Sequence, residues 1–369
     1  MRYSSRISRY IATTPDWLVR LQEDYRINAI GDGDLVSLKY DQIESPMYEQ
    51  IVQECRGLVV HIPTGKILAH PYNKFWNHGD TLATPIDWST ARVLEKLDGS
   101  LMTLYWHEER WNVASSGTPR AGGQIGDVEG MTFRDLFWQT FCALGMQQPE
   151  QCDASVCFMF ELCTAENRIV VRHDKPRIVL HGARDMTNGT ELDRDQLASY
   201  ADEYKWEVVR SYPISSIEDC LHAAEQVDPI ECEGFIVVDA AFNRVKIKSP
   251  RYVILHHMKG AATPRRAIEL WQTGEAGELL SHFPEMALQI LPIHERLDRL
   301  AEIAVDDVVA NSDAPDRKAF AMAIKTKPWS AVAFKLYGAS NTNVDAAKAI
   351  MRASSLAALE RMLESDGAA

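Results

Sequence analysis

The sequence has no apolar run long enough to cross a bilayer, which argues against membrane insertion. Met1–Tyr10 is basic and polar with no hydrophobic stretch behind it, so a secretory leader is not expected either. Cysteine is sparse and unpaired in pattern: the seven residues Cys55, Cys142, Cys152, Cys157, Cys163, Cys220 and Cys232 form no Cys-x-x-Cys pair and have no histidine at zinc spacing. Reduced thiols in a cytosol fit that pattern, and the Cys152, Cys157, Cys163 series and His256-His257 read as structural. Excess positive charge is also missing. The net charge of -13 excludes wholesale coating of a polyanion. From Lys259 to Ala369 there are 13 basic and 15 acidic residues, against 26 and 37 before it, so the acidity sits in the N-terminal part. If that part handles phosphate, its cations must be gathered in one pocket inside an acidic shell. Ser115–Gly126 is glycine-rich but lacks the Gly-Lys-Ser or Gly-Lys-Thr of a phosphate loop, and reads as a mobile loop.

What is present describes a globular protein. With 369 residues, 46% hydrophobic and 25% charged, the length suggests two domains. Between Arg56 and Lys248 strand-like runs dominate. Arg56–Ile62 and Lys66–His70 flank Pro63-Thr64-Gly65, and Leu101–Trp106 and Trp111–Ala114 flank His107-Glu108-Glu109, so each reads as a hairpin. Thr132–Leu144 carries apolar residues at helical spacing and stops at Gly145. Val156–Leu162, Ile169–Arg172, Ile178–Ala183, Phe235–Asp239 and Val245–Lys248 are β-rich. Beyond Tyr252 the period becomes helical: Ile290 to Val308 in one helix, and Ala347 to Leu363 in another behind a Thr342-x-x-Asp345 cap. The expectation is an α+β domain of antiparallel sheets with flanking helices over residues 1–258, followed by an all-helical domain over 259–369.

Five segments carry chemistry. Lys96-Leu97-Asp98-Gly99 has the form Lys-x-Asp-Gly between two strand-like runs, a pattern that chance supplies in about one chain in ten of this length. Alone it reads first as an Asp-Gly turn with an exposed lysine. Around it stand Glu54-Cys55-Arg56-Gly57-Leu58 with Lys74-Phe75, then Glu161 leading into Glu166-Asn167-Arg168-Ile169-Val170, then Glu233-Gly234-Phe235-Ile236, and last Lys246-Ile247-Lys248-Ser249. Charges set beside or inside apolar strands call for partners, which suggests strands lining one pocket. Singly, Glu161 and Glu233 could be strand-edge charges, and Lys246 and Lys248 could point alternately into water.

In this order the segments resemble the covalent nucleotidyltransferases, namely DNA ligases, RNA ligases and mRNA capping enzymes. Among these the sequence is most similar to the tRNA-repairing RNA ligases of T-even bacteriophages. The likeness spans roughly Leu35 to His257. It implies an ATP-dependent ligase in which Lys96 is the nucleophile. Arg56 and Lys74 would contact the triphosphate or an RNA phosphate, and Lys246 and Lys248 would grip the α-phosphate. Glu161 and Glu233 would serve the ribose hydroxyls and Mg2+ or Mn2+, with Glu233 the metal residue. Asp98 would join the nucleotide contacts, Gly99 would let backbone approach the nucleotide, and Ile236 with Leu180 would pack on adenine. The chemistry suits these types: a lysine attacks only as a neutral amine, so neighbouring cations such as Lys246 and Lys248 should lower its pKa. Where the phage enzyme has a lysine after the second hairpin strand, this chain has Ser115-Ser116-Gly117, and Arg120 is the expected substitute. An aromatic nucleotide contact is expected near Tyr40. The implied partners are RNA ends bearing a 5′-phosphate and a 3′-hydroxyl, such as a nicked tRNA anticodon loop, handled by a cytoplasmic monomer. The alternatives are a DNA ligase or capping enzyme, disfavoured by a helical tail where a β-barrel would follow, and a protein that binds RNA ends without sealing them.

Overall fold

Near-continuous apolar runs in Val156–Cys163 and Ser100–His107 bury the two paired strands on both faces at the centre of the N-terminal part. In the computed structural model, residues 5–125, 130–259, 263–274, 276–337, 339 and 341–366 are described. The leader reading at 1–4 and the far end of the loop at Gly126 lie outside the described residues, whereas the expected domain boundary at 258/259 falls at the end of the helix Pro250–Lys259. Contacts divide the chain into two units, Met1–Val253 and Ile254–Ala369.

The first unit is α+β. A four-stranded antiparallel sheet runs in chain order through Ile27–Asp32, Leu35–Tyr40, Arg56–His61 and Lys66–Ala69. A five-stranded sheet is ordered Glu207–Val208, Arg177–Asp185, Val156–Cys163, Ser100–His107, Arg110–Ser115. A second five-stranded sheet is ordered Ser211–Tyr212, Arg92–Glu95, Gly234–Val238, Arg244–Lys248, Trp76–Asn77. Pairing is antiparallel except at two short edge strands, Glu207–Val208 and Trp76–Asn77, which pair in parallel. One face of the first five-stranded sheet packs Phe158, Phe160 and Leu180 under helices Phe133–Ala143 and Arg194–Tyr204. Its other face meets the four-stranded sheet through Leu35, Val59, Tyr105 and Met159. The Ile217–Gln226 helix covers the third sheet through Cys220 and Ala224.

The hairpins and the Phe133–Ala143 helix, capped by Thr132, form where periodicity placed them. Ile169–Arg172 does not form a strand. Its backbone is drawn into bends because the Val170 and Val171 amides donate to Asp98 Oδ2, at 2.8 and 2.7 Å, instead of to a ladder.

The second unit is helical, with Pro264–Thr273, Ala276–His282, Ala287–Ala310, Arg317–Ile324, Ser330–Leu336, Val344–Arg352 and Leu356–Asp366. The long Ala287–Ala310 helix packs Leu297, Leu300, Ala301 and Ala304 against Ile268, Phe320, Met351 and Leu359. The single helix expected over Ala347–Leu363 is two, broken between Arg352 and Leu356, and Asn343 caps the first of them by accepting from Ala346 N at 2.9 Å. Thr342 instead donates to Leu336 O. No helix among the described residues is long and apolar enough to cross a membrane.

Gly99 opens the Ser100–His107 strand where it crosses its neighbour, and a Cβ there would sit 2.3 Å from Leu162 O and 2.9 Å from Cys163 Sγ. The space that glycine leaves is filled by protein. Gly99→Ala should therefore lower the unfolding free energy by about 1–3 kcal/mol, as overpacking does, whereas Gly117→Ala, with nothing within 4 Å of its Cβ, should be silent. Denaturant midpoints of the two variants check this, and equal midpoints would contradict it.

Candidate active site

Lys96 follows the Arg92–Glu95 strand, and its amide donates to Gly234 O at 2.9 Å, which sets it beside the start of the Gly234–Val238 strand. Gly234 has φ +138, and a Cβ would lie 2.2 Å from Ile247 O, so only glycine allows the two strands to close here. That closure brings Glu233, Lys96 and Lys248 together. Lys96 Nζ lies 2.6 Å from Glu233 Oε2 and Lys248 Nζ 2.9 Å from Oε1, with the carboxylate side chain only 4% exposed. One buried carboxylate thus holds two amines.

A cleft of about 310 Å³ opens on one side of Lys96, lined among others by Arg56, Phe75, Glu161, His181, Ile236 and Lys246. The Arg244–Lys248 strand sends alternate residues to it, so Arg244, Lys246 and Lys248 all line it. Phe75 carries two cations, with the Arg56 guanidinium 5.2 Å and Lys246 Nζ 5.1 Å from the ring centroid. Burial, then the charges of Arg56, Lys74, Lys96 and Lys248, pull the Lys246 amine from 10.5 down to about 7. Among the described residues no carboxylate pairs with it. Arg56 Nη1 and His181 Nε2 are buried with no hydrogen-bond partner. His181 Nε2 does lie 3.5 Å from Glu161 Oε2, but the pair lacks hydrogen-bond geometry. Unpartnered buried nitrogens beside surplus positive charge are what an anionic, polar ligand would complete.

A second cleft of about 330 Å³ lies on the other side of Lys96, lined by Glu95, Asp98, Arg172, His173, Lys175, Arg177, Glu231 and Glu233 among others. Asp98 faces inward: besides the two amides its Oδ1 accepts from the Tyr252 hydroxyl at 2.6 Å, so it ties the 170–171 bend and the helix at Tyr252 to the Lys96 turn.

The expected site residues are not all gathered in one place. Arg56, Lys96, Gly99, Glu161, Ile236, Lys246 and Lys248 line the first cleft. Glu233 sits behind Lys96 and Lys248. Lys74 does not line it: its Nζ lies 5.0 Å over the Tyr40 ring, and its charge reaches the cleft only through its effect on Lys246. Tyr40 is buried in the core of the four-stranded sheet. Leu180 is fully buried beneath the helices, on the face away from the cleft, because one residue along a strand switches sides. Arg120 points to Asp34 and Glu108, at 3.6 and 3.7 Å, and Ser116 takes the cleft position after the hairpin strand. Phe75, His181 and Arg244 escaped the reading, although Arg244 shares the two-residue period of Lys246 and Lys248. Arg244 is held by Glu191, which also binds Arg184, and it stacks 4.3 Å over Tyr72.

The family model described as RNA ligase matches residues 54–252, more than half of the chain, and the chain belongs to that family. A protein of Autographa californica nuclear polyhedrosis virus, inferred to be a bifunctional polynucleotide kinase/RNA ligase, is 24% identical over 87% of this chain and 48% of its own length. The RNA ligase of Rhodothermus phage RM378 is 25% identical over 65% of this chain and 68% of its own length. The chain thus spans about half of the viral relative. Among solved structures, an archaeal ATP-dependent RNA ligase is similar at a TM-score of 0.48 with 12% identity, covering 88% of this chain and 89% of that one.

The Lys246 shift has a definite sign. An unfolded lysine keeps its proton to about 10.5, so between about 7 and 10.5 the unfolded state binds the extra proton and stability rises with pH; below 7 the penalty is complete. An anion in the cleft favours the charged amine, so inorganic pyrophosphate binding at about pH 8 should take up a proton. Calorimetry in buffers of different ionisation enthalpy measures this uptake, which Lys246→Met should remove.

Proposed function

We propose that the chain is an ATP-dependent RNA ligase that works through lysyl-AMP on Lys96. The observation that carries this is one cleft in which Arg56, Lys96, Lys246 and Lys248 converge around apolar walls, with a buried carboxylate binding two of the amines. Adenosine would lie against Ile236, its ribose near Glu161, and its phosphates among Arg56, Lys246 and Lys248. Lys96 Nζ attacks the α-phosphorus, a nitrogen–phosphorus bond forms, and pyrophosphate leaves. The attack needs the lysine lone pair, so the Lys96–Glu233 pair must open first. The RNA 5′-phosphate then displaces Lys96 to give RNA-adenylate, and an RNA 3′-hydroxyl displaces AMP to form the phosphodiester. Lys246 and Lys248 stabilise charge on the transferring phosphoryl oxygens, where fixed cations in a cleft act most strongly.

Glu233 is the carboxylate that a divalent ion would use, in keeping with Mg2+ or Mn2+ held by one carboxylate plus phosphate oxygens and water. Such an ion would neutralise phosphate charge. The second cleft, with Arg172, His173, Lys175 and Arg177, suits the RNA ends, since it meets the first at Lys96. The helical part from about residue 259 would select the RNA by shape, a broken tRNA anticodon loop being the fitting substrate.

Incubation with labelled ATP, followed by a denaturing gel and a chase with 5′-phosphorylated RNA, tests the reading. Wild-type protein should take up label and pass it to RNA. Lys96→Ala should take up none, yet still seal pre-adenylylated RNA, because that step does not use the amine as nucleophile. Glu233→Ala should slow both steps in the folded protein and, because it leaves the two amines it holds without their carboxylate, also lower the melting temperature. Label on Lys96→Ala would overturn the assignment, and labelled wild-type protein that never modifies RNA would favour a binding protein.

A further inference from the structure

Outside the lysine cleft, three segments of the first unit bring unlike metal-binding side chains to one point. Asp34 lies in the turn between Ile27–Asp32 and Leu35–Tyr40, His61 ends the Arg56–His61 strand, and His107 ends the Ser100–His107 strand. One ligand atom from each lies within 4.8 Å of the others. We propose that Asp34, His61 and His107 bind a divalent transition-metal ion of the zinc type, with Glu108 completing the set. The site stands at the opposite end of the Ser100–His107 strand from Lys96, roughly 20–25 Å away at strand rise. It owes nothing to the ligase chemistry.

Four further observations support it. First, His107 Nε2 is buried without a hydrogen-bond partner, its nearest acid being Glu108 Oε1 at 3.9 Å. Second, His61 Nε2 faces Asp34 Oδ2 at 3.0 Å while Nδ1 lies 2.7 Å from Thr64 Oγ1. A hydroxyl can donate or accept. When an ion replaces the hydrogen that Nε2 donates to Asp34, the hydroxyl can accept from Nδ1–H, the outer-shell arrangement that metal-binding histidines use. Third, Glu108 and Glu109 both have positive φ, 51 and 57, in a two-residue hairpin turn that favours Asn-Gly. In that turn Glu108 Oε1 lies 3.9 Å from His107 Nε2. Fourth, two imidazoles with carboxylate oxygens suit zinc-like ions better than Mg2+ or Ca2+. Tetrahedral bonds of about 2.0–2.1 Å need donors only about 3.4 Å apart, a small contraction from what is seen.

Arg120 and Arg110 supply the opposing charge. Arg120 Nη2 lies 3.6 Å from Asp34 and 3.7 Å from Glu108, and Arg110 Nη2 lies 3.2 Å from Glu108. An ion must compete with both for the two carboxylates. Bound, it would brace the four-stranded sheet to the tip of the hairpin.

Titrating the full-length protein with Co2+ and reading visible absorption tests the site. One equivalent should give the intense bands of a tetrahedral ion, displaced by Zn2+. His107→Gln and Asp34→Asn, shown folded by circular dichroism, should abolish them, and Thr64→Val in the exposed turn should weaken binding by roughly 10–100-fold. No bands, bands that survive His107→Gln, or thiolate charge-transfer absorption placing the ion on cysteine would each overturn the proposal. If His107→Gln fails to fold, Thr64→Val decides: unchanged affinity contradicts the site.

Discussion

The buried Glu233 carboxylate, shared by Lys96 and Lys248, is the interaction on which the rest of the site depends. Six cationic side chains stand in and around the cleft, and Lys246 registers the repulsion of Arg56, Lys74, Lys96 and Lys248 in addition to its burial. Without a carboxylate between them, Lys96 and Lys248 could not lie so close. The backbone serves this pairing: Gly234 lets its strand close on Ile247, and the Lys96 amide is pinned to Gly234 O. Asp98 performs the matching task on the other flank, drawing the 170–171 amides and Tyr252 onto the same turn.

Behind the cations a second network fixes the cleft wall. Glu191 binds Arg184 and Arg244, Arg244 stacks on Tyr72, and the Tyr72 hydroxyl donates to His181 O at 2.8 Å. A Cβ on Gly182 would strike that hydroxyl at 1.9 Å, so the glycine admits the tyrosine. His181 is thereby held at the cleft with one ring nitrogen unpartnered. The charges nearest the cleft are thus set by residues that bear no charge motif of their own.

Much of the fold was legible because its strands are runs of apolar, β-branched and aromatic residues and its hairpins carry turn residues, signals that need no tertiary context. Ile169–Arg172 shows where such signals fail. Its β-branched residues favour a strand, yet a carboxylate more than seventy positions earlier captures its amides. The break between the last two helices was hidden by apolar residues that keep helical spacing across it. At the site, Lys96, Glu233, Lys246 and Lys248 were legible as charges beside apolar strands, and the structure gathers them. Asp98 and Gly99 were legible as a motif but not in what they touch: one is engaged by backbone amides, the other is crowded by the neighbouring Val156–Cys163 strand. Leu180 and Lys74 were misplaced because strand register and a cation over Tyr40, both tertiary facts, decide where they point.

The central claim is that Lys96 forms the covalent link, although Lys246 is the amine whose proton is held weakly near neutrality. The two lysines share one cleft, and only Lys96 follows the Arg92–Glu95 strand into the Lys-x-Asp-Gly turn. Tandem mass spectrometry of peptides from protein incubated with ATP and Mg2+ separates them. The account predicts AMP on the Lys96 peptide and none on the peptide holding Lys246 and Lys248. AMP on Lys246 would contradict it.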